Sequence, residues 1–226
     1  MAAEGGLKPF YTVLGGLGVV GIGVLGYLMS RPPAVSIPAH VTVTAADTAG
    51  FRGYLLGSDS APVEITEYAD YQCPSCQQFT EVQFPDVKTR LIDSGRLRWR
   101  YRDFPLQQHR HSRLASHSAA CADAQGRFWQ QFDRIYVGQQ DWQGERDASG
   151  TFRDYGRQVG LDLAAYDTCM RSARFAGRIQ ASFDEGAAVG VNATPTFLIG
   201  GRLYSGVQPY DVIRHLVDSL APPSTR

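Results

Sequence analysis

Two cysteines separated by two residues, Cys73 and Cys76, have the spacing in this chain that most directly suggests chemistry. The residues before them, 63–69, have the composition of a strand, and Pro74 suits the first position of a helix, where an N–H would find no partner. A cysteine at a helix N-terminus has a stabilised thiolate, because unpaired N–H groups and the positive end of the helix dipole face it. A second cysteine one turn later can resolve a mixed disulfide. The pattern predicts thiol–disulfide exchange, with Cys73 as the exposed nucleophile and Cys76 as the resolving thiol.

Two other readings of the cysteine pair remain open. In the first, the pair is half of a zinc site, which needs a second ligand pair at similar spacing. The remaining cysteines, Cys121 and Cys169, are single, although His117 precedes Cys121 by one helical turn. An inert structural disulfide between Cys73 and Cys76 is the other. Of the three readings we favour exchange chemistry, and we expect neither a metal nor a cofactor.

The elements that position the cysteines follow from hydrophobic periodicity and from glycine and proline positions. A helix is predicted from Pro74 to about Ser94, kinked at Pro85 and ended by Gly95. The remaining predicted elements are a strand over 96–102, a helical block over about 111–188 that is broken near 138–150 and at Gly160, a hairpin of strands 196–199 and 203–205 around Gly200 and Gly201, and a closing helix over 210–220.

The first thirty residues differ from the rest. No charged residue occurs from Phe10 to Met29, and a run of that length matches the apolar thickness of a bilayer. We predict an uncleaved membrane anchor over residues 1–30, with a cleaved signal peptide as the alternative. The following residues, 31–50, are rich in Pro, Ala, Thr and Val and are predicted to form a stalk.

Composition argues against one class of partner. Lys and Arg together number 22, and so do Asp and Glu, which leaves no net charge. Nucleic-acid binding requires a basic excess that displaces counterions from phosphates. We therefore expect no nucleic-acid partner.

Three segments in order resemble DsbA-type oxidoreductases of the thioredoxin superfamily, which carry an inserted helical domain. They are residues 67–76 around the cysteine pair, residues 119–122 followed by 126–129, and residues 190–197 with Thr194-Pro195-Thr196 before a strand. The resemblance covers roughly residues 63–220. It implies an α/β thioredoxin-like fold over 51–226, with a helical insertion at about 107–188, preceded by the transmembrane helix.

The resemblance also implies roles for individual residues. The Thr194–Pro195 bond is expected to be cis and to pack against the active-site disulfide. Glu67, six residues before Cys73, corresponds to a buried acid beneath the resolving thiol, where it would take the proton from Cys76; a surface glutamate is the alternative. Within the dipeptide Pro74-Ser75, Ser75 stands where the strongly oxidising enterobacterial enzyme has histidine. Since serine supplies no cation to the Cys73 thiolate, an extreme potential is not assured.

In some members of the resembled group, a second disulfide links the helical domain. We therefore expect a structural disulfide between Cys121 and Cys169.

The function implied is donation or exchange of disulfides in exported proteins by an enzyme that is anchored in the membrane, with its catalytic domain in the periplasm or another extracytoplasmic space. Its partners would be thiol-containing exported substrates and a quinone-linked membrane reoxidant of the DsbB or VKOR type. Two alternatives remain: a reductase or isomerase for one client, and a non-catalytic thioredoxin-like subunit of a membrane complex.

Overall fold

The computed structural model describes residues 8–30 and 35–221. They belong to two separate units, which divide between Ala34 and Val35. The first unit contains one helix, α1 (Lys8–Ser30). In the described parts of the chain, no helix is both long enough and apolar enough to span a bilayer. The predicted transmembrane anchor is not confirmed.

The second unit is built on a five-stranded sheet in the order β1-β3-β2-β4-β5. Its strands are β1 (Tyr54–Leu56), β2 (Val63–Ala69), β3 (Leu97–Asp103), β4 (Thr196–Ile199) and β5 (Arg202–Ser205). The central pair β2–β3 is parallel and the other pairs are antiparallel. The predicted strands are present and β1 is an addition. It is three residues long and lies between Gly53 and Gly57, whose positive φ angles suit the close approach of β3.

The helix that follows Cys73 switches from α-helical to π-helical hydrogen bonding at two places. Its α-helical parts are α3 (Pro74–Gln78) and α4 (Phe84–Val87), and π-helical turns occupy Phe79–Gln83 and Lys88–Ile92. Pro85 lacks an N–H, and the wider turn just before it instead bonds the Phe84 N–H to the Phe79 carbonyl. Gly95 ends the helix with φ +76°, as predicted.

Six helices lie between β3 and β4: α5 (Ser112–Asp123), α6 (Phe128–Val137), α7 (Gln139–Trp142), α8 (Ser149–Gln158), α9 (Leu163–Arg171) and α10 (Ala176–Ala188). They form the inserted helical block, and α11 (Tyr210–Leu220) closes the fold. The block is attached to the sheet through α6, where Phe128 stacks on Tyr54 at 3.7 Å and the Trp129 indole donates to the Leu55 carbonyl at 3.1 Å. A disulfide joins Cys121 on α5 to Cys169 on α9.

The residues from Val35 to the start of β1 pack against the rest of the second unit, to which they belong. Val35 and Ile37 contact the core, and the short helix α2 (Ala45–Thr48) lies against α10. The sequence suggests a stalk over residues 31–50, whereas the structure places this segment from Val35 onward with the folded domain. The reason is that its apolar side chains find a surface to cover, which composition alone does not reveal.

The disulfide closes a loop with a sequence separation of 48 residues. Replacing both cysteines, Cys121→Ala with Cys169→Ala, is expected to lower the free energy of unfolding by about 4 kcal/mol, because the unfolded chain regains the entropy that the loop removes. Guanidinium unfolding followed by circular dichroism measures the change. A loss below roughly 1 kcal/mol would contradict this role.

Candidate active site

Cys73 is the N-cap residue of α3, and Pro74 occupies the first helical position. The Cys73 carbonyl accepts hydrogen bonds from the N–H groups of Cys76 and Gln77, each at 3.1 Å, so the cysteine is fixed at the start of the helix. Both Cys73 and Cys76 are free thiols in the structure. The expected placement of a cysteine pair at a helix N-terminus is observed.

The two thiols differ in accessibility, but less than expected. Cys76 is fully buried, and Cys73 is only 7% exposed, so the prediction of an exposed nucleophile is wrong in this respect. The Thr194 carbonyl covers Cys73: its oxygen lies 3.3 Å from the Cys73 sulfur and accepts a hydrogen bond from it when the thiol is protonated. Pro74 and Ser75 are the exposed residues at this end of the helix. A substrate sulfur must therefore approach Cys73 past these two residues.

The two thiols also differ in acidity. The pKa of Cys73 is lowered to about 5, mainly by the hydrogen bond from the Cys76 thiol. The Thr194 side-chain hydroxyl and the N–H groups of Cys76 and Ser75 contribute further, and together these groups outweigh the effect of burial. Burial raises the pKa of Cys76 well above its ordinary value. The reduced pair thus holds a thiolate at Cys73 and a thiol at Cys76.

Thr194 and Pro195 lie opposite the cysteines, just before β4. The bond between them is cis. The Pro195 carbonyl accepts a hydrogen bond from the Gly206 N–H at 2.8 Å, and the Thr196 hydroxyl donates to the Ala193 carbonyl at 2.7 Å. These bonds hold the loop in the position where the Thr194 carbonyl contacts Cys73. Residues 190–197, the third segment that resembles DsbA-type proteins, therefore reach the site.

Glu67 is a buried acid on β2, and not the surface glutamate of the alternative reading. The Trp99 indole donates to Glu67 Oε2 at 3.1 Å, while Oε1 has no hydrogen-bond partner among the described residues. Burial raises the pKa of Glu67 to about 8, and the bond from Trp99 offsets this only in part. Its carboxyl group is therefore protonated at neutral pH.

Asp70 organises the site, and sequence reasoning missed it. It is fully buried, three residues before Cys73, and accepts hydrogen bonds from the Gln72 N–H, the Leu106 N–H and His109 Nδ1, each at 2.8 Å, and from the Ser112 hydroxyl. The bond to Asp70 raises the pKa of His109. Asp70 thus ties the loop after β3 to the turn that carries Cys73. The only signal in the sequence was an acid at the end of a strand beside the cysteine pair.

The histidine near the second disulfide does not form a metal site here. His117 lies within 4.8 Å of the sulfurs of Cys121 and Cys169, but these sulfurs are bonded to each other and offer no thiolate. The Phe175 N–H donates to His117 Nε2 at 3.0 Å, which leaves the proton of the neutral ring on Nδ1. Nδ1 therefore has no free lone pair for a metal.

A family model described as Thioredoxin matches residues 52–219. The chain belongs to the thioredoxin family. Among curated proteins, it is 32% identical over 162 residues to the Na(+)/H(+) antiporter NhaA 3 of Salinispora tropica, a match that covers 71% of this chain and 23% of the antiporter. The chain thus spans about a quarter of the length of such relatives. It is 25% identical over 167 residues to the disulfide bond formation protein D of Bacillus subtilis, covering 73% of this chain and 75% of that protein.

Solved structures agree on the fold. The crystal structure of α-DsbA1 from Wolbachia pipientis superposes with a TM-score of 0.68 at 21% identity, over 75% of this chain and 91% of that one. The expected thioredoxin-like fold with a helical insertion, similar to DsbA proteins, is confirmed.

The buried Glu67 makes stability depend on pH. Its pKa is about 8 in the folded protein and near 4.5 otherwise, so between these values folding takes up a proton and stability falls as pH rises. In Glu67→Gln this dependence is absent. As pH rises from 5 to 8, the free energy of unfolding of wild type should therefore fall relative to that of Glu67→Gln, by up to about 1.4 kcal/mol per pH unit.

Urea unfolding of the oxidised proteins at several pH values measures this difference without titrating the cysteines. Glu64→Gln, on the other face of the same strand, shows what removal of a solvent-accessible carboxyl does. A difference between Glu67→Gln and wild type that stays constant with pH would contradict the buried, protonated state.

Proposed function

We propose that the chain donates disulfides to cysteine-containing exported proteins through Cys73 and Cys76. The observation that supports this most is the contrast between the two thiols, with the pKa of Cys73 lowered to about 5 and that of Cys76 raised by burial. A stabilised thiolate favours the reduced form of the pair, so the oxidised form gives up its disulfide readily. That is the property of a disulfide donor.

The proposed cycle begins with the oxidised pair. A substrate thiolate attacks Cys73 Sγ, the bond between Cys73 and Cys76 breaks, and its electron pair leaves on Cys76, which takes a proton. A second substrate thiolate then attacks the substrate sulfur of the mixed disulfide, and Cys73 leaves as a thiolate. The substrate has lost two electrons and the cysteine pair has gained them.

The remaining site residues serve this cycle in the proposal. Glu67 supplies the proton to Cys76 when the disulfide opens and accepts it when the pair is reoxidised, because a neutral carboxyl beneath a buried thiol can do both. The backbone at Thr194 and Pro195 pairs with an extended substrate next to Cys73. Pro74 and Ser75 are the exposed residues that a substrate meets first.

We place the enzyme at a membrane, with its catalytic domain on the extracytoplasmic side and a quinone-linked membrane protein of the DsbB or VKOR type as its reoxidant. Three observations support this placement: the uncharged run from Phe10 to Met29, the disulfide between Cys121 and Cys169, which persists in oxidising compartments, and the similar domain in relatives named as antiporters. A tether would raise the local concentration of the enzyme near such a partner.

The relatives named as antiporters also favour a second candidate function. A thioredoxin-like domain next to a membrane protein could serve for docking alone, and the cysteine pair would then be dispensable. The two functions differ in whether Cys73 forms bonds to other proteins.

Replacing the resolving cysteine, Cys76→Ala, should trap those bonds, because a mixed disulfide at Cys73 then has no internal thiol to release it. Cells that produce the full chain are quenched with acid and alkylated, and their membrane and soluble fractions are each separated on non-reducing gels. We expect reductant-sensitive adducts that contain exported, cysteine-bearing proteins and an integral membrane partner.

Cys73→Ala is the matched control, since it lacks the nucleophile and should give no adducts. Absence of adducts in Cys76→Ala would contradict the proposed function and favour docking. Adducts found only in the soluble fraction, with cytoplasmic proteins, would contradict the proposed location.

A further inference from the structure

A row of buried polar side chains extends from the cysteine pair across one face of the sheet. Tyr101 and Asp103 alternate along β3, so both project to the same side. Glu67 on β2 is the register neighbour of Tyr101, and Tyr54 on β1 flanks Tyr101 on its other side. All four side chains are at most 3% exposed. Polar groups thus continue from Glu67 to Asp103 inside the core.

Tyrosine rings from other elements connect the two carboxyl groups. The hydroxyls of Tyr101 and Tyr136 are 3.2 Å apart and hydrogen-bonded. The ring of Tyr71 lies 4.8 Å from that of Tyr136 and 5.5 Å from that of Tyr101, measured between centroids. Beyond the effect of burial, the charges of Cys76 and Glu67 raise the pKa of Tyr136, and the charge of Asp103 raises that of Tyr71. Glu67 also raises the pKa of Tyr71, so Tyr71 faces both carboxyl groups, while Tyr136 faces Glu67 and Cys76.

Most polar atoms of this row lack a protein partner. Within the described parts of the chain, no hydrogen bond of ordinary length reaches the following buried atoms: Glu67 Oε1, the hydroxyl oxygens of Tyr54, Tyr71 and Ser116, and both carboxyl oxygens of Asp103. Longer polar contacts join Ser116 to Asp103, Tyr101 to Tyr71 and Arg178 to Tyr54, and each opposes the rise in pKa that burial causes. Buried polar atoms in proteins are almost always hydrogen-bonded, and ordered water serves where side chains do not. Polar atoms without close partners on one face of the sheet, beside the hydrogen-bonded hydroxyls of Tyr101 and Tyr136, suit a route along which a proton can pass.

We propose that Asp103 is a positioning residue that resupplies Glu67 with its proton through the hydroxyls of Tyr71, Tyr101 and Tyr136. This inference rests on the proposed function, in which Glu67 protonates Cys76. When the disulfide opens, its electron pair goes to Cys76, the Glu67 proton follows, and Glu67 is left as a carboxylate. Each hydroxyl then passes one proton toward Glu67 and receives one from the Asp103 side. On reoxidation the proton returns by the same route.

Asp103 suits the role of a reservoir because of its surroundings. Burial raises its pKa to about 7, so near neutral pH it both holds and releases a proton. The groups that face it from neighbouring elements are Tyr54 on β1, Asp70 and Tyr71 after β2, Arg113 and Ser116 on α5, and Arg178 on α10, with Arg102 beside it on β3.

If Asp103 resupplies Glu67, its replacement should slow the opening of the disulfide and leave the reduction potential unchanged. The oxidised full chain is mixed rapidly with reduced glutathione at about pH 6 to 9, and opening of the Cys73–Cys76 disulfide is followed by tryptophan fluorescence. The rate is divided by the concentration of glutathione thiolate. In wild type this corrected rate should fall as pH rises past about 7. Once Asp103 has lost its proton, the Glu67 carboxylate is not resupplied, takes its proton back from Cys76, and the Cys76 thiolate recloses the disulfide.

In Asp103→Asn, which cannot release a proton, the corrected rate at pH 6 should be lower by about tenfold, and the fall near pH 7 should be absent. Tyr71→Phe, which removes one hydroxyl, should show the same loss. The reduction potential at pH 7 should match wild type in both variants, whereas a merely structural role would change the potential or the stability without changing the pH profile.

Tyr68→Phe is the matched control, because Tyr68 is equally buried on the other face of β2 and its hydroxyl donates to Glu185. The corrected rate and pH profile of this variant should equal those of wild type.

The relay is overturned if wild type reacts with glutathione and both variants match its corrected rate over the whole pH range. If Asp103→Asn does not fold, Tyr71→Phe and Tyr101→Phe decide the question on the same criterion. If wild type itself fails to react with glutathione, the proposed function is overturned together with the relay that serves it.

Discussion

The active site depends on the position of Cys73 at the start of a helix whose next turn carries Cys76 into the core. The first thiol meets N–H groups, the Cys76 thiol and the Thr194 side chain, whereas the second is fully buried. The pKa values of the two sulfurs therefore move in opposite directions. This contrast determines which sulfur is attacked, which one leaves and where a proton is needed. The other features of the site act on it by holding the helix start, covering Cys73 or serving Cys76.

Two buried acids on neighbouring strands, and a third at the end of β2, show how the sheet supports this contrast. Asp70 holds the loop after β3 against the turn before Cys73 through four hydrogen bonds. The charge of Glu67 raises the pKa of Cys76, and Asp103 lies farther along the same face of the sheet. Burying three carboxyl groups costs stability, and a packed core alone gives no reason to retain them. Asp70 is retained for the hydrogen bonds it accepts, and the proposed transfer of protons to Cys76 gives a reason to retain Glu67 and Asp103.

Local sequence patterns were sufficient for the central strands, the glycine hairpin, the closing helix and the placement of Cys73 at a helix cap, since alternation, turn residues and Pro74 act over a few positions. They could not give the shielding of Cys73, because the Thr194 carbonyl comes from 121 residues away. Nor could they reveal the roles of Asp70 and Asp103, which depend on the register of β1, β3 and β2. The three-residue strand β1 is too short for any periodicity, and its pairing is set by β3.

The reduction potential of the Cys73–Cys76 pair tests the central claim most directly, because a stabilised thiolate makes a disulfide oxidising. Equilibration of the purified protein with glutathione buffers, followed by alkylation and mass analysis, gives this value. The account predicts a potential of roughly −120 to −180 mV, the range of disulfide donors and isomerases. A potential of about −270 mV, that of a reductant such as thioredoxin, would contradict it.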